Sequence, residues 1–208
     1  MSNIYFNNMN FKAIGFDYGG VIAGIPSSEF NRRILELLDV PHEVYRSVYF
    51  ANNHLLNHDK LSKNDFWAKI LNELGRSEKI DNLLNFLESL NTHQINSDVL
   101  DLAKQLKAKG YKIGILSNNT AEGVEKMREA GLMEIFDAVA VSTEIGFIKP
   151  DPRAFDVLIG QLGILAGELV FIDDTAKSLE SSDAVGFYPI KYNNFPELVA
   201  SLAEVGII

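Results

Sequence analysis

Short apolar runs alternate with stretches of helical spacing along most of the chain. In the helical stretches, apolar residues recur three or four positions apart, and Pro152 is a favoured first residue of one such helix. Apolar strands that alternate with helices predict an α/β fold, in which a doubly wound parallel sheet is covered by helices on both faces. The predicted strands lie at 11–17 (FKAIGFD), 111–117 (YKIGILS), 138–142 (AVAVS), 168–173 (ELVFID) and near 187–191.

Residues 24–93 interrupt this alternation, because they carry helical patterns without a convincing strand. Apolar stripes cover 30–38, 66–74 and 80–90. Ligands of parallel sheets bind beyond the carboxyl ends of the strands. The insertion directly follows the first strand, so we expect it to lie over that edge like a lid. The predicted domains are an α/β core of residues 1–23 plus 94–208 and a helical cap of residues 24–93.

Polar side chains stand where the predicted strands end. Asp17 ends the first strand, Ser117 the second, and Asp173 and Asp174 the fourth, while Lys149 lies in the loop after the third. Taken singly, each has a structural explanation as a turn former, a helix cap or a surface lysine. Together they predict a site, because carboxylates brought this close repel one another unless a cation is present. Oxygen ligands of this kind suit Mg²⁺, and the lysine adds a second positive charge.

Composition and charge narrow the class of ligand. Acidic residues outnumber basic ones by 28 to 19, and the net charge of −9 disfavours nucleic acid as a partner. The chain has no cysteine, no apolar run long enough to span a bilayer, and no secretory signal pattern at its N-terminus. We therefore expect a soluble cytoplasmic protein that acts on small molecules rather than on membranes or polymers. The sequence leaves both a monomer and a homodimer open.

Four short motifs resemble those of the haloacid dehalogenase-like superfamily, in the same order along the chain. FDYGGVI (16–22) resembles the first motif, GILSN (114–118) the second, Lys149 within KPDP the third, and FIDDTAKS (171–178) the fourth. The resemblance covers the whole chain and implies a Rossmann-like core. The helical insertion is similar to the cap that many members carry between motifs one and two.

The resemblance implies hydrolysis of a small phosphomonoester, a phosphorylated metabolite, through an aspartyl-phosphate intermediate. Asp17 would attack phosphorus, and Lys149 would bridge this nucleophile and the phosphate. Ser117, together with the backbone N–H of Asn118, would hold the phosphoryl oxygens.

The resemblance also implies a Mg²⁺ site. The ligands would be Asp17, the backbone carbonyl of Gly19 and Asp174, with Asp173 supporting the site through water or hydrogen bonds. The order of the two adjacent acids stays open, although the resemblance favours Asp174 as the direct ligand.

The sequence departs from the phosphatase pattern at Gly19. Phosphatases of this superfamily usually have a second aspartate there, which protonates the leaving group, a role worth about 100- to 10,000-fold. Gly19 has no side chain, which implies slow turnover, a preference for good leaving groups, or a proton donor from the cap. The candidate donors in the cap are Tyr45, Tyr49, His54, His58, Lys60 and Trp67.

Two alternatives follow from this departure. A 2-haloacid dehalogenase also lacks the second aspartate, but such relatives have a tyrosine two residues after the nucleophile, whereas Tyr18 is one residue after it. They also need no metal, so the pair of Asp173 and Asp174 argues against this alternative. The other alternative is a phosphate-binding regulatory protein with weak or no turnover.

Overall fold

The computed structural model describes residues 10–58, 60–90 and 93–208. Residues 1–9, over which the sequence predicts no secretory signal, lie outside the described residues. Within the described residues the strands form one five-stranded sheet in the order β3-β2-β1-β4-β5, and every neighbouring pair is parallel. The strands are β1 (Ala13–Phe16), β2 (Lys112–Ser117), β3 (Ala138–Val141), β4 (Leu169–Asp173) and β5 (Tyr188–Lys191).

Helices cover both faces of this sheet. Alternate residues of each strand point to opposite sides, so Val170 and Ile172 belong to one hydrophobic cluster while Leu169 and Phe171 belong to another. The predicted doubly wound α/β fold is therefore confirmed. None of the described helices is both long and apolar enough to cross a membrane. The helices are α1 (Ser27–Leu38), α2 (His42–Asn57), α3 (Lys63–Glu73), α4 (Ile80–Ser89), α5 (Ser97–Ala108), α6 (Ala121–Glu129), α7 (Leu132–Ile135), α8 (Ser142–Ile145), α9 (Pro152–Leu162), α10 (Ser182–Val185) and α11 (Phe195–Glu204).

Glycines in the central strands let helix α9 approach the sheet closely. A Cβ added to Gly15 would lie 2.6 Å from the Phe171 ring, and one added to Gly114 would lie 2.8 Å from Leu158 of α9. Both separations are shorter than van der Waals contact, so only glycine fits without a shift of its neighbours. Because α9 begins directly after the loop that holds Lys149, this close packing also fixes the position of that loop.

Helices α1 to α4 are inserted between β1 and α5 and have a hydrophobic cluster of their own. Its members include Ile34, Tyr45, Phe66 and Leu83, and none of them belongs to the two clusters of the sheet. This separate cluster supports the division into core and cap, which stays a prediction. The sequence pattern did not resolve α2, because this helix has apolar residues on more than one face and Val44 is 48% exposed.

The two chain segments that connect the inserted helices to the sheet lie side by side. Gly24 N–H donates to the carbonyl of Gln94 at 2.9 Å, and Asn96 N–H donates to the carbonyl of Ile22 at 2.8 Å. Ala23 and Ile95 also form an antiparallel bridge. The paired connectors place the inserted helices next to the carboxyl ends of the strands.

Candidate active site

The structure brings the predicted site residues together at the carboxyl edge of the sheet. Asp17 directly follows β1, Ser117 is the last residue of β2, and Asp173 is the last residue of β4, and these three strands are neighbours. Carboxylate oxygens of Asp17, Asp173 and Asp174 lie within 4.8 Å of one another. Among the residues that the structure describes, this is the only group of three or more side chains arranged to bind a metal ion.

Lys149 connects two of these acids. Its Nζ lies 2.9 Å from Asp17 Oδ1 and 2.6 Å from Asp173 Oδ2, and the side chain is almost completely buried. Burial lowers the pKa of Lys149, but the attraction of Asp17 and Asp173 outweighs it, and the net shift is upward. The ammonium group therefore stays charged.

Asn118 fixes the loop that carries Lys149. Its side-chain oxygen accepts a hydrogen bond from Lys149 N–H at 2.7 Å, and its Nδ2 donates to the Lys149 carbonyl at 3.0 Å. Sequence reasoning assigned only the backbone N–H of Asn118 to phosphate and missed this use of its side chain. The signal was an amide in the second motif, whose two-sided hydrogen bonding suits it to join two loops.

The two adjacent acids after β4 have different surroundings. Asp173 is fully buried and accepts hydrogen bonds from Lys149 and, at 2.8 Å, from Thr175 N–H. Asp174 faces a cavity beside this edge of the sheet, and it accepts hydrogen bonds from the Ser27 N–H and, at 3.2 Å, from the Thr175 hydroxyl. The geometry thus favours Asp174 over Asp173 as a direct metal ligand.

The charges of this cluster do not balance without a further cation. Burial is the main cause that raises the pKa of Asp17 to about 7; Lys149 opposes this shift, and Asp173 and Asp174 add to it. Burial also raises the pKa of Asp174. When all three carboxylates are ionised, the single ammonium group leaves a net charge of −2. A buried charge of this kind needs compensation, and a divalent cation with oxygen ligands fits both the charge and the donors.

The loop after β1 contains two glycines with different roles. A Cβ at Gly19 would meet nothing within 4 Å, whereas a Cβ at Gly20 would lie 2.2 Å from Asp174 Oδ2. Gly20 also has a φ of +78°, in the region that favours glycine. Sequence reasoning singled out Gly19 as the position where relatives carry an aspartate, but a pair of glycines does not show that Gly20 lies against Asp174. The Tyr18 side chain is buried away from the site, with its hydroxyl 3.2 Å from His93 Nδ1.

A cavity of about 490 Å³ lies between this edge and the inserted helices. The sheet side contributes Asp17, Ser117, Lys149 and Asp174. The other side is one face of α2 together with part of α1, and its lining residues are Phe30, Asn31, His42, Tyr45, Arg46, Tyr49, Phe50, Asn53, Leu56 and Asn57.

Two of the six candidate donors in the cap reach this cavity. Tyr45 and Tyr49 line the cavity, whereas the other four candidates do not: His54, His58, Lys60 and Trp67. Sequence reasoning missed the cavity contacts of residues such as His42 and Phe50. Their spacing along α2 was the available signal, but it becomes informative only when the boundaries of the helix are known.

The fold and this site define a hydrolase of the haloacid dehalogenase-like class. The sequence matches the profile of the haloacid dehalogenase-like hydrolases over residues 11–186, so the chain belongs to this family. A Bacteroides thetaiotaomicron enzyme of the family, solved as a magnesium complex, is 19% identical, with a TM-score of 0.61 over 91% of this chain and 98% of that one. This similarity shows the fold.

The relatives that are similar to this chain in sequence catalyse different reactions. A phosphatase of Mycobacterium tuberculosis is 25% identical over 86% of this chain and 85% of its own length. The bifunctional epoxide hydrolase 2 of Mus musculus is 24% identical over 95% of this chain, which spans only 39% of that protein. (S)-2-haloacid dehalogenase 1 of a Pseudomonas species is 28% identical over 62% of this chain and 60% of its own length.

Proposed function

We propose that the protein is a Mg²⁺-dependent phosphatase that hydrolyses a small phosphomonoester, with Asp17 as the nucleophile. One observation carries this proposal: Asp17 lies 2.9 Å from the Lys149 ammonium, beside Asp174, in a cluster that needs a divalent cation. A phosphate dianion bound through such a cation and the lysine would lie against the carboxylate. The phosphatase among the relatives supports the same reaction.

In the proposed reaction an Asp17 carboxylate oxygen attacks phosphorus, and the ester P–O bond breaks as the electron pair leaves with the alcohol oxygen. Water then attacks the phosphorus of the aspartyl-phosphate, which releases phosphate and restores the carboxylate. Lys149 holds Asp17 and the phosphoryl oxygens in line. Ser117 and the backbone N–H of Asn118 bind the remaining phosphoryl oxygens.

The proposed ligands of Mg²⁺ are Asp17, Asp174 and the Gly19 carbonyl. Asp173 orients the site through its bonds to Lys149 and Thr175 N–H. Mg²⁺ neutralises charge on the transferred phosphoryl group when it is bound.

We propose that residues 24–93 act as a cap that closes over the substrate. The substrate in this proposal is a phosphorylated metabolite rather than a nucleic acid or a membrane lipid, since the net charge is −9. We further propose a cytoplasmic location, and both a monomer and a homodimer are compatible with a site built within one chain.

A test uses an activated aryl phosphate with and without Mg²⁺, with Asp17→Asn as the variant. We expect phosphate release that requires both the metal and Asp17. A chelator-resistant release of chloride from 2-chloropropionate would instead identify a dehalogenase. The position of Tyr18, turned away from the cavity towards His93, argues against that outcome. Phosphate binding without release from any ester would identify a regulatory protein.

A further inference from the structure

The cavity offers no carboxylic acid to the departing oxygen of a phosphate ester. Among the described residues that line it, Asp17 and Asp174 are the only acids. Asp17 is the proposed nucleophile, and Asp174 already accepts hydrogen bonds from Ser27 N–H and the Thr175 hydroxyl. The space beside Gly19 is open, with no atom within 4 Å of the position that a Cβ would take.

The two tyrosines that line the cavity from the cap side are poor acids. Burial raises the pKa of Tyr45 and of Tyr49 above the ordinary value of tyrosine. His42 is half exposed at the start of α2, where its Nδ1 lies 3.3 Å from Glu43 Oε1. None of these groups is a carboxylic acid and the two tyrosines are weak acids, so we expect the leaving oxygen to carry its own negative charge away from phosphorus.

Phosphate esters differ greatly in how readily their leaving oxygen departs as an anion, because this depends on the pKa of the alcohol. A phenol has a pKa of about 10, the ordinary value of the tyrosine side chain. The pKa of an alkyl alcohol lies far above this value, close to that of bulk water. An aryl phosphate can therefore lose its leaving group as a phenolate, whereas an alkyl phosphate needs a proton donor.

The wall opposite the acids suits an aromatic leaving group. Phe30 of α1 and Tyr49, Phe50 and Leu56 of α2 line the cavity from the cap side. The rings of Tyr49 and Phe50 are edge-to-face, with centroids 5.6 Å apart, and Phe50 is 36% exposed. An exposed aromatic edge in a cavity can pair with a further ring, in offset-stacked or edge-to-face geometry.

We infer that the natural substrate is the phosphate monoester of an aromatic alcohol, in which the ring carries the phosphorylated oxygen. This inference rests on the proposed function and specifies its substrate class. Asp17 forms a bond to phosphorus, the bond from phosphorus to the aryl oxygen breaks, and the electron pair leaves with the phenolate. The phenolate takes its proton from water, and a second water molecule hydrolyses the aspartyl-phosphate.

The test compares esters that separate the ring from the acidity of the leaving group. Phenyl, benzyl and n-butyl phosphate are measured with the full-length protein and Mg²⁺, and kcat/KM is determined by phosphate release. Benzyl phosphate keeps the ring but has an alkyl leaving group. We expect phenyl phosphate to exceed benzyl phosphate by at least about 100-fold, the lower range of a general acid. The ring of benzyl phosphate should still lower KM relative to n-butyl phosphate.

Gly19→Asp is the matched variant for the missing donor. Open space at Gly19 accepts the new side chain, so we expect faster turnover of benzyl phosphate and a contraction of the phenyl-to-benzyl ratio by at least about 10-fold. Phe50→Ala tests the aromatic wall, and it should raise KM for phenyl phosphate roughly 3- to 10-fold. Leu165→Ala is its control, because this residue is 72% exposed and does not line the cavity.

Each contrary result has a distinct meaning. Equal kcat/KM for phenyl and benzyl phosphate overturns the inference and leaves the phosphatase proposal in place. Loss of benzyl phosphate turnover in His42→Gln alone would show that His42 is the donor, which also overturns it. If the Gly19→Asp variant folds and its ratio of kcat/KM for phenyl phosphate to that for benzyl phosphate is unchanged, the absence of a proton donor is not what limits turnover. Absence of metal-dependent release from every ester overturns the proposed function itself.

Discussion

Two neighbouring glycines in the loop after β1 meet opposite surroundings. Gly20 has a positive φ and lies against the Asp174 carboxylate, while Gly19 faces open space. The first position is constrained by backbone conformation and by contact, and the second by neither. A side chain is thus excluded at one position of the loop and merely absent at the other.

Gly20→Ala should therefore damage the site even though the substitution is small. The positive φ alone costs roughly 1–2 kcal/mol for a residue with a Cβ, and the methyl group also displaces Asp174. We expect a lower free energy of unfolding in urea. The Mg²⁺ concentration needed for the half-maximal rise in melting temperature should increase at least 10-fold. Gly19→Ala is the matched control and should keep the unfolding free energy of the wild type. Equal stability of the two variants would refute this assignment.

The raised pKa of Asp17 makes the stability of the metal-free protein depend on pH. Burial raises this pKa from 3.8 in the unfolded chain to about 7 in the folded protein. A folded-state pKa above the unfolded value stabilises the protein fully below pH 3.8, and this stabilisation is lost as pH rises through 7. The free energy of unfolding should accordingly fall between these limits.

Asp17→Asn should remove this pH dependence. From pH 5 to pH 7.5, the wild type should lose a few kcal/mol at most relative to the variant, since one pKa unit corresponds to about 1.4 kcal/mol. Urea unfolding of both proteins with a chelator present provides the measurement. Saturating Mg²⁺ should reduce the loss, because the cation compensates the ionised carboxylate. Parallel pH curves for the two proteins would contradict the origin assigned to the shift.

At the scale of secondary-structure elements, strand ends and their connecting loops assemble the site. Asn118, directly after β2, hydrogen-bonds both backbone groups of Lys149 in the loop between α8 and α9. The lysine reaches Asp17 and Asp173 from that position. One amide thus couples the end of β2 to the loop that carries the lysine.

Asn118→Ala should disturb the position of Lys149 without removing its charge. Loss of two hydrogen bonds should lower the free energy of unfolding by about 1–2 kcal/mol. A displaced lysine aligns the phosphate poorly, so we expect kcat/KM for an aryl phosphate to fall about 10- to 100-fold. Asn193→Ala is the control, because Asn193 is exposed and lies outside the cavity. An unchanged kcat/KM in a folded Asn118→Ala variant would exclude this positioning role.

Elements were predictable where a single period dominates the sequence. Each strand was predicted within two residues of its bounds. The strands β1 to β4 are largely buried and read as apolar runs, whereas the edge strand β5 is mostly exposed and was placed only approximately. Asp17, Ser117 and Asp173 were predicted because they stand at the ends of those strands, and Lys149 because it lies in the loop after the third strand. Helix α2 was not resolved, since one of its faces packs into the cap cluster and another lines the cavity. The cap wall of the site depends on that helix, and Tyr45 and Tyr49 are the residues of α2 in this wall that were predicted to contribute to the site.

The whole molecule consists of a sheet and a helical insertion that leaves and re-enters the sheet at adjacent points. Gly24 and Gln94 are joined by a hydrogen bond of 2.9 Å, so a short linker can replace everything between them. Further contacts across this boundary include Ser27 N–H to Asp174 and the Ser142 hydroxyl to the Asn57 carbonyl at 2.8 Å.

Replacement of residues 25–93 by two glycines should leave a sheet that still folds. Each lost hydrogen bond contributes about 1 kcal/mol, and the shorter connection has a smaller closure entropy. We expect cooperative thermal unfolding by circular dichroism, with an unfolding free energy within roughly 3 kcal/mol of the full chain. Phenyl and n-butyl phosphate should then show similar KM values, since the aromatic wall is gone. Loss of a cooperative transition would show that the insertion is required for folding of the sheet.

The two connectors between the sheet and the inserted helices lie side by side, and this arrangement affects how the protein could change during evolution. Any segment whose own ends meet at the same separation could be inserted between these connectors, whatever its length or architecture, without a change at the carboxyl edge of the sheet. The insertion, which would select the substrate, and the sheet edge, which would carry the catalytic residues, could then evolve independently within one chain.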